Sequence, residues 1–133
     1  MTDDELIAAA RAARERAYAP YSHFLVGAAV IADGRIFAAP NLENASYPLS
    51  VCAERNAVAV AVASGHRQIE AIAVVGSSDA GITPSCGGCR QVLYEFGGSQ
   101  MRVIAESLAG DERRSWTLGE LLPLAFGPRD LHP

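Results

Sequence analysis

The sequence predicts an α/β domain, and three observations carry that prediction. Two apolar runs flank Asp33-Gly34, which is a hairpin signal. After the hairpin, helical and strand patterns alternate. At 133 residues the chain is also long enough for one domain, spanning 1–133, with a core that needs no staples.

The elements follow in order. In "TDDELIAAARAARERAYAPYS", Thr2 can cap a helix, with Glu5 three residues on completing a capping box. Alanine-rich periodicity carries that helix to about Ala17, and Pro20 ends it. "FLVGAAVIADGRIFAAP" gives strands at about 24–32 and 35–40. "CAERNAVAVAVASG" reads as a helix, apolar on most faces and stopped by Gly65. "IEAIAVVG" reads as a buried strand, "CGGCRQVLYEFGG" as a second glycine-stopped helix, and "MRVIAES" as another strand. "TLGELLP" gives a short helical turn, and "LAFGPRDLHP" an irregular tail. The order is α-β-β-α-β-α-β. Its first strand pair is antiparallel, and the last three strands, alternating with helices, are expected to pair in parallel. In sequential strand order, the two later helices share one face of the sheet and begin at the same edge.

Bulk composition excludes several classes. Net charge is −4, with no lysine or arginine block, so nucleic acid has no electrostatic footprint here. The longest apolar stretch, Ala57 to Ala63, is too short to span a bilayer. The acidic start MTDDEL is unlike a signal peptide, so a cytoplasmic location is expected.

All three cysteines fall in two short stretches, "SVCAER" and "SCGGCRQ". Cys86 and Cys89 are spaced i, i+3 at a helix start, so they share a face. Cys52 opens the neighbouring helix. Helix N-termini favour thiolates, and three converging thiolates suit zinc. There is no fourth cysteine, and His23, His66 and His132 lack ligand spacing. The fourth position is therefore expected to be left to water, as in catalytic sites. Three thiolates overcompensate the metal's charge. Arg55 is expected to offset them by hydrogen bonds, with Arg90 a weaker candidate. Glu54, in the first helical turn, can lean over the open position and move a proton. A glutamate there also serves as an ordinary helix-dipole partner, but three cysteines beside it favour the chemical role.

"CAE" and "CGGCRQV", with "YSHFLVGAA" and "NLENASYPL" upstream, resemble the small cytidine deaminases of nucleoside salvage, over about Tyr18 to Leu131. The zinc deaminases as a class include a three-cysteine variant of this site, with a non-ligating glutamate. The resemblance implies a three-layer α/β/α fold on a five-stranded mixed sheet and a homotetramer. The implied reaction is hydrolysis of cytidine and 2′-deoxycytidine to uridines and ammonia. It matches Cys52, Cys86 and Cys89 to the ligands of one zinc per subunit, Glu54 to the proton shuttle and Arg55 to the compensating arginine. Asn41 and Glu43 match the pair that binds the ribose hydroxyl, and Phe24 an aromatic packed on the pyrimidine. Ala53 matches a backbone amide that meets the base carbonyl. Tyr47 matches a tyrosine at the subunit junction, and Phe126 an aromatic reaching a neighbour's site. Simpler roles stand beside these: core packing for Phe24, loop organisation for Asn41 and Glu43, and packing within its own subunit for Phe126. Tyr21, Ser22 and His23 read as loop structure.

Two departures stand out. Ser85 occupies the place, directly before Cys86, where the family has proline, and Pro84 is one step earlier. This bears on a backbone carbonyl that meets the departing amino group. Pro40, before Asn41, removes a backbone donor from the ribose loop. Three other readings compete. A deaminase of modified cytosine nucleosides, of the blasticidin type, tends to lose the ribose pattern that "NLENASY" keeps. A polynucleotide deaminase needs a basic groove. A non-catalytic zinc-stabilised binding module predicts a fourth protein ligand and has no use for Glu54. A 5′-phosphate near Glu43 would be repelled, so free nucleosides are the expected substrates.

Overall fold

The computed structural model describes residues 2–78 and 81–131. One five-stranded mixed sheet, in the order β2-β1-β3-β4-β5, carries helices on both faces. Its strands are β1 (Gly27–Ala32), β2 (Arg35–Pro40), β3 (Ile69–Val75), β4 (Arg102–Glu106) and β5 (Arg113–Thr117). The main helices are α1 (Asp3–Arg14), α2 (Ala53–Ala63) and α3 (Gly87–Gly97). Single turns follow at α4 (Leu118–Leu121) and α5 (Pro128–Leu131).

Local signals act as read. Thr2 and Glu5 form the capping box of α1. Asp33 and Gly34 both adopt positive φ, 51° and 74°, the twist that a two-residue hairpin requires. α2 ends before Gly65, at φ 94°.

The middle strands are buried on both faces, hence their nearly unbroken apolar runs. Period-two alternation divides them between two cores. Ala28, Val30, Ile72, Val74 and Val103 pack toward α2 and α3. Ala29, Ile31, Ala73, Val75 and Ile104 face Leu6, Ile7 and Ala10 of α1. α1 lies unusually close to β1. A side chain at Gly27 would come within 1.9 Å of the Ala10 carbonyl oxygen.

Five expectations change. The strands are not in sequential order, because β1 lies between β2 and β3 and pairs antiparallel with each. Only β3 and β4 are adjacent parallel neighbours. β2 and β3 still run in the same direction, so the helices that follow them begin at one edge.

β5 is the second change, invisible to apolar periodicity because it is a charged, half-exposed edge. It pairs with β4. Arg113 binds Glu106 and Asp4, and the Arg114 guanidinium lies 5.0 Å over the Trp116 ring. Third, residues 24–26 lie outside the sheet ladder, which begins at Gly27. Fourth, the tail contains the helical turn α5 where irregular chain was expected. The first helix also stops at Arg14, short of Ala17.

Candidate metal centre and substrate cavity

The loops after β2 and β3 end at the starts of α2 and α3. Cys52 is the N-cap of α2 and Cys86 the N-cap of α3. Cys89 follows one turn into α3, and its backbone amide donates to Cys86 Sγ at 3.4 Å. The three Sγ atoms lie within 4.8 Å of one another. Cys52 and Cys86 are 4.0 Å apart, too far for a disulfide. Cys89 is buried, Cys52 half-buried and Cys86 exposed. The trio is therefore open on one side.

Electrostatics show what the cluster needs. The Cys52 thiol is drawn down to about 6, chiefly by hydrogen bonding with Cys89, and the charge of Arg55 acts in the same direction. The Cys89 thiol is pushed strongly up by that same bond and by burial. One negative charge forms readily, and its neighbour then holds its proton. Three thiolates at this spacing need a cation among them, and an all-sulfur donor set fits zinc. No histidine joins the trio among the described residues. His66 instead pairs with Asp33 at 2.7 Å, tying the hairpin turn to the end of α2. His132 lies outside the described residues.

Glu54 sits beside the cluster, only 5 % exposed. No described residue donates a hydrogen bond to it. A buried carboxylate without such a donor is costly. Its position is explained by the cavity of about 390 Å³ that Glu54 lines together with Cys52, Cys86 and Ala53. Phe24, Val26, Asn41 and Glu43 line the same cavity, with Ser22, Thr83 and Pro84. Phe24, 36 % exposed, presents itself at this wall.

Asn41 and Glu43 do two things at once. Asn41 Nδ2 donates to the Phe24 carbonyl and its Oδ1 accepts from the Val26 amide, each at 2.9 Å. That leaves one N–H and one lone pair for a ligand. Glu43 Oε1 accepts from the Tyr21 and Ser22 amides at 3.0 and 3.1 Å, and Oε2 from the Ser22 hydroxyl. These bonds, the Ser22 hydroxyl first, hold the carboxyl of Glu43 below its ordinary range. The organising role and the cavity-lining role therefore coexist.

Arg55 is exposed, and among the described residues it donates no hydrogen bond to the thiols. It reaches Cys52 through charge alone, not through the bonds expected of it. Arg90 is the tethered arginine. Its Nε donates to the Ser85 carbonyl and Nη1 to the Leu121 carbonyl, both at 3.0 Å. It thus fixes the segment before Cys86. Ser85 is buried, and its hydroxyl and that of Thr83 have no partner among the described residues. Pro40 ends β2 in register with Gly27, and its carbonyl accepts from Asn56 Nδ2 at 3.0 Å. Phe126 stands apart from the cavity, 60 % exposed. Tyr47 is exposed and packs beside Tyr21, with ring centroids 5.6 Å apart.

The sequence reading overlooked Ser22 and Thr83 as cavity residues. Ser22 carries a signal only in hindsight, being a hydroxyl two residues before Phe24. Thr83 carries none, since its place in the wall depends on Gly76. A side chain at Gly76 would sit 2.1 Å from the Thr83 hydroxyl.

Known proteins agree with this geometry. The family model described as the cytidine and deoxycytidylate deaminase zinc-binding region matches residues 1–105. A cytidine deaminase of Sporosarcina psychrophila is 46 % identical over 132 residues, covering 98 % of this chain and 96 % of that one. The crystal structure of cytidine deaminase from Burkholderia pseudomallei superposes with a TM-score of 0.89 at 50 % identity, covering 95 % of this chain and all of that one. The Mycobacterium tuberculosis enzyme gives 0.82 at 39 % identity, covering 96 % of this chain and all of that one. With its zinc-binding region, its fold and its cysteine trio all accounted for, the chain belongs to the cytidine and deoxycytidylate deaminase family.

Proposed function

We propose that this chain is a zinc-dependent cytidine deaminase that hydrolyses cytidine and 2′-deoxycytidine to uridine and 2′-deoxyuridine. The observation that carries this reading is Glu54: a buried carboxylate lining the cavity beside three converging cysteines. Water adds at C4 of the base and the 4-amino group leaves as ammonia, so cytidine and water give uridine and ammonia. Cys52, Cys86 and Cys89 would hold a zinc ion, which would supply a Lewis acid at the open side of the trio.

The rest is done by the chain. Glu54 takes one proton from the attacking water and passes it to the ring nitrogen, where it stays in the product; it then takes the second proton from the added hydroxyl and passes it to the departing amine. Phe24 stacks on the pyrimidine, and the Ala53 amide at the start of α2 meets the base carbonyl. Asn41 and Glu43 use their remaining bonding capacity on the sugar hydroxyl, which rewards nucleosides over free bases. Arg55 offsets thiolate charge at a distance. Asn41 and Glu43 in the cavity wall favour ordinary cytidine over a modified cytosine nucleoside.

The assembly is a homotetramer in this reading. Phe126, Tyr47, Leu49 and Leu124 are exposed apolar residues that a partner would cover. Phe126 then completes a neighbour's cavity. The chain works as a single domain in the cytoplasm. No described helix is long and apolar enough to cross a membrane.

Ultraviolet deamination assays on cytidine and deoxycytidine, with Glu54→Gln as the control, test the reaction. Turnover by the parent alone is expected. Equal behaviour of parent and variant, with zinc present in both, would favour the non-catalytic zinc module. Light scattering at micromolar concentration tests assembly, and a monomer that still turns over cytidine removes the role given to Phe126.

A further inference from the structure

The cavity wall at Phe24–Val26 has an unusual support. These residues lie outside the strands, and side chains hold all of their backbone groups except the Val26 carbonyl, which accepts from the Asn41 amide at 3.1 Å. Asn41 holds the Phe24 carbonyl and the Val26 amide from one side. Ser77 holds Leu25 from the other. Its hydroxyl donates to the Leu25 carbonyl at 2.7 Å and accepts from the Leu25 amide at 3.1 Å. The second lone pair accepts from Arg14 Nη2 at 2.6 Å. One proton and two lone pairs are all a serine hydroxyl has, so Ser77 is fully used.

Arg14 is placed for this by packing. It ends α1, where the bare Gly27 lets the helix settle onto β1. A side chain at Gly27 would lie 2.5 Å from the Arg14 amide nitrogen. The Arg14 side chain is only 12 % exposed, and its Nε also donates to the Gly76 carbonyl at 3.2 Å. Gly76 in turn abuts Thr83 in the opposite wall. Arg14 therefore backs Ser77 and holds the Gly76 carbonyl without lining the cavity.

We propose that Ser77, backed by Arg14, is a positioning residue that fixes the Phe24 wall and thereby sets affinity for the substrate base. The identity of that base rests on the deaminase reading above; the clamp does not. Replacing Ser77 with alanine removes all three bonds and frees Leu25, while the cysteines and Glu54 stay where they are.

Two measurements on the full chain test this. In Ser77→Ala, hydrogen exchange at the Leu25 amide should quicken about tenfold or more, while Ile72 and Val74 in the core keep their protection. Unchanged protection at Leu25, or equal loss throughout the core, would overturn the clamp. In steady state the same variant should raise KM for cytidine about tenfold with kcat changed less than about threefold, because stacking acts alike on ground and transition states. Combined with Phe24→Ala, it should add little further to KM. Fully additive effects on KM, or a drop in kcat alone, would count against positioning through Phe24. If Ser77→Ala does not fold, Arg14→Ala carries the same measurements, since it removes the bonds to both Ser77 and Gly76. A parent that shows the exchange pattern but does not deaminate cytidine would break the cytidine reading and leave the clamp standing.

Discussion

The floor of the cavity and its rim are built by different means. The floor consists of Cys52, Cys86, Cys89 and Glu54, all at the first turns of α2 and α3. Their placement is a by-product of regular structure: two helices starting at one edge of a sheet. The rim consists of residues 22–26 and 41–43, with little regular structure of its own. Leu42 makes single backbone bridges to Tyr18 and Val51, and segment 22–26 is held mainly by the side chains of Asn41, Glu43, Ser22 and Ser77. Chemistry therefore rests on the rigid part, and recognition on a part whose geometry depends on single side chains. Changes in the floor should remove turnover, and changes in the rim should alter affinity.

The largest expected effect sharpens that contrast. Glu54→Gln should lower kcat by about 10²–10⁴-fold, the usual contribution of general acid–base catalysis. It should not lower the melting temperature, because it removes a buried charge to which no described residue donates a hydrogen bond. A large loss of stability would mean that Glu54 has a structural role. Next, Cys89→Ser should abolish zinc retention by metal analysis and also lower the melting temperature, since Cys89 is buried in the junction of the two helices. Retention of stoichiometric zinc would show that the trio is not the ligand set.

The rim gives smaller numbers. Asn41→Ala removes two hydrogen bonds at about 0.5–1.5 kcal/mol each. A rise in KM of about five- to 150-fold with zinc intact is expected. A fall in kcat without a change in KM would erase the distinction between floor and rim.

The smallest effect concerns pH. The hydrogen bonds on Glu43 lower its pKa from the ordinary 4.5. Its latch on Tyr21 and Ser22 should therefore be complete at neutral pH and be lost only as pH falls through that lowered value. The Tyr21 and Ser22 amide resonances should stay fixed from pH 7 to below 4.5. A midpoint at or above that value would show that these bonds do not form in solution.

Much of the floor was legible before any coordinates. Capping at Thr2 and the Asp33-Gly34 turn depend on neighbours in sequence, so they can be read directly. The cysteine spacing together with alternating elements was enough to bring Cys52 near Cys86 and Cys89. That inference held although the assumed strand order did not, because inserting β1 between β2 and β3 leaves their directions unchanged. Arg55 shows the opposite case. Spacing placed it near the thiols, but spacing does not say whether a long side chain turns inward, and here it stays exposed.

What the sequence determined by itself is local: the helix starts that hold the thiolates and Glu54, the hairpin, and the apolar runs of the buried strands. Tertiary structure decided where unpaired backbone finds partners. β5 exists because the edge of β4 accepts it, with Glu106 binding Arg113 and Arg11 across the chain. Residues 24–26 leave the sheet because Asn41 and Ser77, 15 and 52 residues away from their Val26 and Leu25 partners, satisfy their backbone groups. Such bonds depend on distances set by the whole fold, and no local pattern of residue types encodes them.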